Sequence, residues 1–279
     1  MEIGLLLIAG GIATGLFGSL LGLGGGVLLV PLLTLGFDLP VREAIGVSLV
    51  CVIITSAASA SVFLDRGMAN LRLGMVLELF TAIGALIGGL VAFLLDERFL
   101  AGLFALLLVY TAATMLRPRD ASAGDGVGGP DADGRGDVAG TVRSRIGEAV
   151  SGAGYLVRQP VPGAIGGVGG GILSALLGIG GGLIMVPVMH LLMGVPLRVA
   201  TATSNVMIGV TASTSALVYL LKGGIDPYAT GPAAVGVFVG AAVGSRVVHR
   251  VDTRLLRLLF AAVLAYTAIL MVQRALVVQ

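Results

Sequence analysis

Gly22-Leu23-Gly24-Gly25-Gly26 lies inside an apolar run, with Gly15-Leu16-Phe17-Gly18-Ser19-Leu20-Leu21 before it and Val27-Leu28-Leu29-Val30-Pro31-Leu32-Leu33 after it. The pattern recurs as Gly178-Ile179-Gly180-Gly181-Gly182, followed by Leu183-Ile184-Met185-Val186-Pro187-Val188-Met189. A helix gains nothing from so dense a glycine cluster, because each glycine adds conformational freedom that folding must remove. Glycines are useful where a helix stops, opens its backbone or lets another group approach that backbone. The two stretches therefore predict two helix breaks inside apolar surroundings.

Those surroundings are set by composition. Of 279 residues, 57% are hydrophobic and only 11% charged, with a mean hydropathy of +1.05. Soluble domains carry about 25% charged residues, so this chain lacks the polar surface to stay in water. Long uncharged stretches recur along it, which predicts an all-α polytopic membrane protein. Continuous apolar runs without period-two alternation argue against a membrane β-barrel. The single cysteine, Cys51, excludes an intramolecular disulfide and a cysteine metal cluster. A net charge of +2 with no basic cluster excludes a nucleic-acid surface. The amino-terminal segment reads as retained, since Glu2 is its only charge and Gly10, Gly11 and Gly15 recur as Gly166, Gly167 and Gly171.

That recurrence extends along the chain at a constant offset of 156 residues. Pro31 matches Pro187, Pro40 Pro196, Arg42 Arg198, Ser48 Ser204, Thr55 Thr211, Gly84 Gly240, and Tyr110-Thr111 Tyr266-Thr267. An ungapped match of that length is a duplication, a common construction of secondary transporters. The expected organisation is repeat one over 1–117, a polar Gly/Asp/Arg-rich linker over 118–160 that reads as cytoplasmic and disordered, and repeat two over 161–279. Each repeat divides into four pieces of spanning length and one of 11 residues, 26–36 and 183–193. The short pieces are about half of the ~20 residues needed to span. About eight full transmembrane helices plus two half-helices or re-entrant segments result.

Lys and Arg placement chooses between topologies. If the first two pieces of each repeat together form a returning hairpin, so that the repeats are inverted, one side carries 13 cations, including Arg117 and the five linker arginines, and the other carries 4. Parallel repeats would divide them 10 to 7. The stronger bias favours inverted repeats with the linker cytoplasmic and both termini outside.

Function is expected where the breaks meet. A half-helix that starts in mid-membrane presents free amide groups and the positive end of its dipole to the gap, which suits a small anion. Candidate binding residues are Gly22, Gly24, Gly25, Gly26, Gly178, Gly180, Gly181 and Gly182. Beside them stand Ser48, Thr201, Ser204 and Asn205, near the starts of the spans that follow Pro-x-Arg. The alternatives are helix packing for the glycines, as in Gly84-xxx-Gly88 and Gly240-xxx-Gly244, and back-bonding to the preceding turn for the hydroxyls. Glu78, within the apolar run 73–95 and matched by Ala234, is a candidate proton carrier or a carboxylate that reaches water. His190 in the second half-helix is a candidate titrating group or a packed imidazole. No clustered His, Cys or carboxylates suggest a metal, no cofactor is expected, and no nucleophile–base pair suggests an enzyme.

The paired GxGGGxxxxP elements, each followed by Pro-x-Arg-x-Ala and a serine-bearing span, resemble the TauE/SafE family of sulfite and sulfonate exporters. The resemblance covers both repeats, and the long polar linker departs from the commoner form. It implies a secondary transporter of small anions such as sulfite, thiosulfate or organosulfonates in the inner membrane of a prokaryote. The expected mechanism is alternating access around the two breaks; the other reading is an anion channel with a fixed glycine-lined filter. Expected partners are the small anion and the lipid bilayer, with a homodimer left open.

Overall fold

The computed structural model describes residues 2–21, 25–65, 69–116, 157, 160–247 and 253–277. Within them every regular element is helical. Repeat one supplies α1 (Glu2–Leu21), the short α2 (Gly26–Pro31), α3 (Val41–Asp65), α4 (Leu71–Ala92) and α5 (Glu97–Leu116). Repeat two supplies α6 (Pro160–Leu177), the short α7 (Gly182–Pro187), α8 (Leu197–Leu221), α9 (Pro227–Val247) and α10 (Thr253–Val277). Of the expected linker only Val157 and Pro160 are among the described residues.

Each short helix runs on into a five-residue π-turn, Leu32–Gly36 after Pro31 and Val188–Leu192 after Pro187. Proline explains the change of pitch. Its nitrogen has no hydrogen to donate to the preceding turn, and its ring crowds the carbonyl four residues back. The helix widens where that bond is missing. The 11-residue pieces of the sequence are thus composite half-helices.

A half-helix folds back along the helix before it. Gly10 faces Leu32 and Gly25 faces Thr14; in the second repeat Gly163 faces Met193, Gly166 Val188 and Gly170 Met185. The half-helices therefore form hairpins with α1 and α6. The third helix of each repeat lies centrally, and α3 and α8 run antiparallel. Gly46 near the start of α3 meets Gly224 just past the end of α8, while Ser56 further along α3 meets Asn205 and Gly209 near the start of α8.

The repeats are interleaved. α1 packs on α9, and α6 packs on α4. Both seams are glycine seams: Gly11 and Gly15 sit against the backbone of Ala233 and Val237, and Gly84 and Gly88 against that of Val168 and Ile172. Lipid tails are as apolar as leucine, so helices in a membrane gain most from close van der Waals approach, and small residues permit it. The GxxxG pairs are packing surfaces here.

The distribution of polarity is that of a membrane protein. Leu79, Leu90, Leu106, Val210 and Tyr266 stand exposed, while Thr14, Ser48, Thr81, Thr111, Ser174, Thr203, Ser204 and Asn205 are buried. Apolar outside and hydroxyl-bearing inside is what a lipid solvent selects. Among the described residues four helices are long and apolar enough to cross a membrane by themselves, through Val41–Ala58, Leu71–Ala92, Val199–Leu221 and Pro227–Gly244. Shorter apolar stretches, Ile3–Ser19, Val161–Leu177 and Leu258–Arg274, lie in α1, α6 and α10.

Candidate functional site

Two left-handed glycines begin the half-helices. Gly25 (φ 76°) caps α2 and Gly181 (φ 81°) caps α7, and each carbonyl accepts from two amides of the new turn. An L side chain would be strained at that φ, so these positions require glycine. In the second break Gly178 and Gly180 are left-handed as well, at φ 67° and 74°. Gly22 and Gly24 lie outside the described residues.

The two breaks touch one another. A Cβ placed on Gly26 would stand 2.6 Å from the Gly178 carbonyl oxygen, 2.8 Å from Val52 Cγ2 and 3.0 Å from Ser48 Oγ. A Cβ on Gly180 would stand 2.6 Å from both Val52 Cγ1 and Ile208 Cγ2. Val52 of α3 thus wedges between the breaks, and Ile208 of α8 packs on the second. Ser48 joins them: its hydroxyl donates to the Gly178 carbonyl at 2.8 Å, with the Gly26 carbonyl a longer second acceptor at 3.4 Å. A hydroxyl has one proton, so the shorter bond is the one made.

Ser48 lies two turns inside α3 rather than at its start, so it ties the repeats together instead of capping a helix. Its counterpart Ser204 faces Gly182, with Oγ 3.3 Å from where a Cβ would be. That hydroxyl is buried and has no hydrogen-bond partner among the described residues. Ser174, one turn before the second break, is also fully buried, stands against Gly181 and is likewise unpartnered. An unpaired buried hydroxyl is costly. Two of them around one opened backbone mark a place where an oxyanion could accept hydrogen bonds, together with helix-start amides that have no intrahelical acceptor.

Most other hydroxyls in these spans are satisfied by their own helices. Thr14, Thr55, Ser213, Thr214 and Ser215 donate to carbonyls three or four residues back. Asn205 turns its amide to the Thr201 carbonyl at 2.9 Å, and its own carbonyl accepts from Ser56 at 2.7 Å. Thr201 and Asn205 therefore stabilise α8 and the α3–α8 contact. His190 is set apart on the exposed side of the π-turn, with Nδ1 2.9 Å from the Val195 carbonyl. Glu78 stands on the α4–α8 contact, where the Thr211 hydroxyl donates to Oε1 at 2.9 Å. Among the described residues no three His, Cys, Asp or Glu side chains come together as a metal site would require.

Sequence reasoning passed over Ser174 and Ser56, and counted Thr203 only among the polar residues of its span. Thr203 accepts from the Asn70 amide at 2.9 Å, and Asn70 in turn caps α4 by accepting from Leu73 at 3.1 Å. Ser174 had a usable signal, a lone hydroxyl one turn before a glycine break in an otherwise apolar helix. Ser56 had none, because its partner lies on another helix.

At the opposite end from Asn70, the Arg274 guanidinium at the close of α10 donates to the Thr34 carbonyl and meets Asp38 Oδ1 at 3.2 Å. Nearby, Arg42 donates to the Leu95 carbonyl at 2.8 Å and lies over the Phe93 ring, 5.3 Å from its centroid. Phe93 in turn packs against Tyr219 of α8.

Comparison with known proteins agrees with the composition. The profile of the family described as "Sulfite exporter TauE/SafE" matches residues 7–271. A Bacillus subtilis (strain 168) protein described as "Probable membrane transporter protein YunE" is 26% identical over 272 residues, covering 93% of each chain. A Methanocaldococcus jannaschii protein, "Probable membrane transporter protein MJ0441", is 35% identical over 121 residues, covering 40% of this chain and 44% of its own. No solved structure matches the chain significantly.

Proposed function

The chain belongs to the TauE/SafE family of membrane transporters, and on that premise we propose that it exports small sulfur-containing anions such as sulfite, thiosulfate or organosulfonates. The observation that carries this reading is the meeting of the two glycine breaks at Ser48, with the free hydroxyls of Ser204 and Ser174 beside the second break. Hydroxyls and helix-start amides bind an oxyanion by short hydrogen bonds without a full positive charge, so the anion can leave again.

The antiparallel course of α3 and α8 supports inverted repeats, each with a re-entrant hairpin that reaches the middle from its own side. The cation count supports a cytoplasmic linker, with the membrane being the inner membrane of a prokaryote. Alternating access then exchanges which hairpin opens. Burial of Ser48, Ser174 and Ser204 at 0–1% exposure favours this carrier over a fixed filter, which needs a lumen at its narrowest point.

Purified protein in liposomes tests the reading. Uptake of labelled thiosulfate or sulfite should saturate and should accelerate when the same anion is loaded on the far side. Single-channel currents would support a pore instead, and absence of flux and binding for every small anion tried would remove the proposal.

A further inference from the structure

We infer that Glu78 is the site through which anion movement is coupled to a proton, and that proton and anion are carried together. This rests on the anion-transporter reading above.

The geometry isolates one carboxyl group inside the helical bundle. Oε1 accepts from Thr211 of α8 at 2.9 Å, and the Thr211 hydroxyl stands 3.4 Å from that of Thr81. Oε2 is buried with no hydrogen-bond partner. Glu78 also lines a cavity of about 80 Å³ between α4 and α8, with Asn70, Gly74, Thr203 and Met207. A water occupies about 30 Å³ of liquid volume, so the cavity has room for a water beside the carboxyl group. It begins at Ala69 and Asn70, on the linker-side ends of α4 and α8. It reaches Thr203, the immediate neighbour of Ser204 in the anion site. Thr211, which holds Oε1, stands two turns along α8 from Ser204, so the carboxyl and the central site lie along one helix.

Among the described residues no counter-charge neutralises Glu78. The described part of α6 contains no ionisable side chain, and α8 offers only Tyr219, which bonds to the Ala175 carbonyl. The side chain of Arg198, at the first turn of α8, is not among those described. His190 on the α7 extension is exposed and engaged with Val195. On α4 itself Arg72 is exposed, six residues nearer the helix start. A carboxylate in this position repels an anion beside Ser204; the neutral acid does not. Protonation therefore favours anion binding, and by linkage bound anion favours protonation. The ligands travel in the same direction. Only repeat one carries the carboxyl, since its counterpart is Ala234, so one proton is coupled per transport cycle.

Binding of methanesulfonate to the full-length protein tests this, because a sulfonate keeps a single charge from mildly acidic to mildly alkaline buffer. Wild type should bind about tenfold more tightly in acid, the scale expected for removing one unit charge from beside another. Glu78→Gln, a neutral isostere, should bind equally well at both and move the anion without acidifying the compartment it enters. Wild-type binding that ignores pH, a pH effect that persists in Glu78→Gln, or flux that follows sodium instead of protons would overturn the inference and leave the anion reading standing. Failure of both proteins to bind any small anion would overturn the two together.

Discussion

The Ser48 hydroxyl of α3 reaches the Gly178 carbonyl at 2.8 Å, across 130 residues of sequence, and so fastens one repeat to the opened backbone of the other. Its counterpart Ser204 has no hydrogen-bond partner among the described residues, which do not include Gly22, the counterpart of Gly178.

Ser48→Ala removes the fastening donor and leaves the Gly178 carbonyl buried and unpaired. Stability should fall by about 1–3 kcal/mol, the cost of an orphaned buried polar group. Transport should fall further than folding does, because the same hydroxyl faces the site. Thermal unfolding and liposome flux on one preparation separate the two effects; a variant that transports like wild type would remove Ser48 from the site.

Gly26→Ala places a methyl group 2.6 Å from the Gly178 carbonyl oxygen and 2.8 Å from Val52. The breaks must separate, with an overpacking cost of about 1–3 kcal/mol. Gly102→Ala is the control, since nothing lies within 4 Å of its Cβ position. Flux should be lost in the first and kept in the second. Equal behaviour of the two would mean that the contact between the breaks is unimportant.

At the other end, Arg274 holds both the Thr34 carbonyl and Asp38, yet the two bonds differ in weight. The Asp38 side chain is 92% exposed, and such surface pairs contribute about 0–1 kcal/mol. Thr34 is fully buried at the end of the first half-helix. Arg274→Ala should therefore lower the unfolding temperature and raise transport leak, whereas Asp38→Asn should do little. The reverse order would assign the holding force to the ion pair.

Inverted repeats make a labelling prediction. Arg72→Cys before the second turn of α4 and Lys222→Cys after α8 are exposed positions at opposite ends of the bundle. With Cys51 buried, an impermeant maleimide added to intact cells should label position 222, and label position 72 only after the membrane is opened. Labelling of both from one side contradicts the proposed topology.

Much of this was legible before any coordinates. The offset of 156 residues located matching elements because duplication preserves spacing, and the glycine–proline pattern located both half-helices because backbone freedom and a missing donor are properties of single residues. Candidate site residues were harder to rank. Ser48, Ser204, Thr201 and Asn205 look alike in sequence, all polar and near the starts of matched helices. Only Ser48 and Ser204 face the breaks; Asn205 returns its amide to Thr201, and His190 points outward. Hydroxyls close to an earlier carbonyl in the same helix can satisfy themselves, and nothing in the chain order says which will.

The sequence by itself determined a membrane protein of two helical repeats with two interrupted helices, since composition, periodicity and glycine content act locally and do not depend on partners. Tertiary structure alone decided that α1 packs on α9 and α6 on α4, and that the first break lies against the second. It also decided that Ser174 and Ser204 remain unpaired while Ser48 is bonded. Those facts concern groups more than a hundred residues apart or on different helices. Which of them meet is set by how two glycine seams allow the repeats to interleave, a property of packed surfaces that no single segment carries.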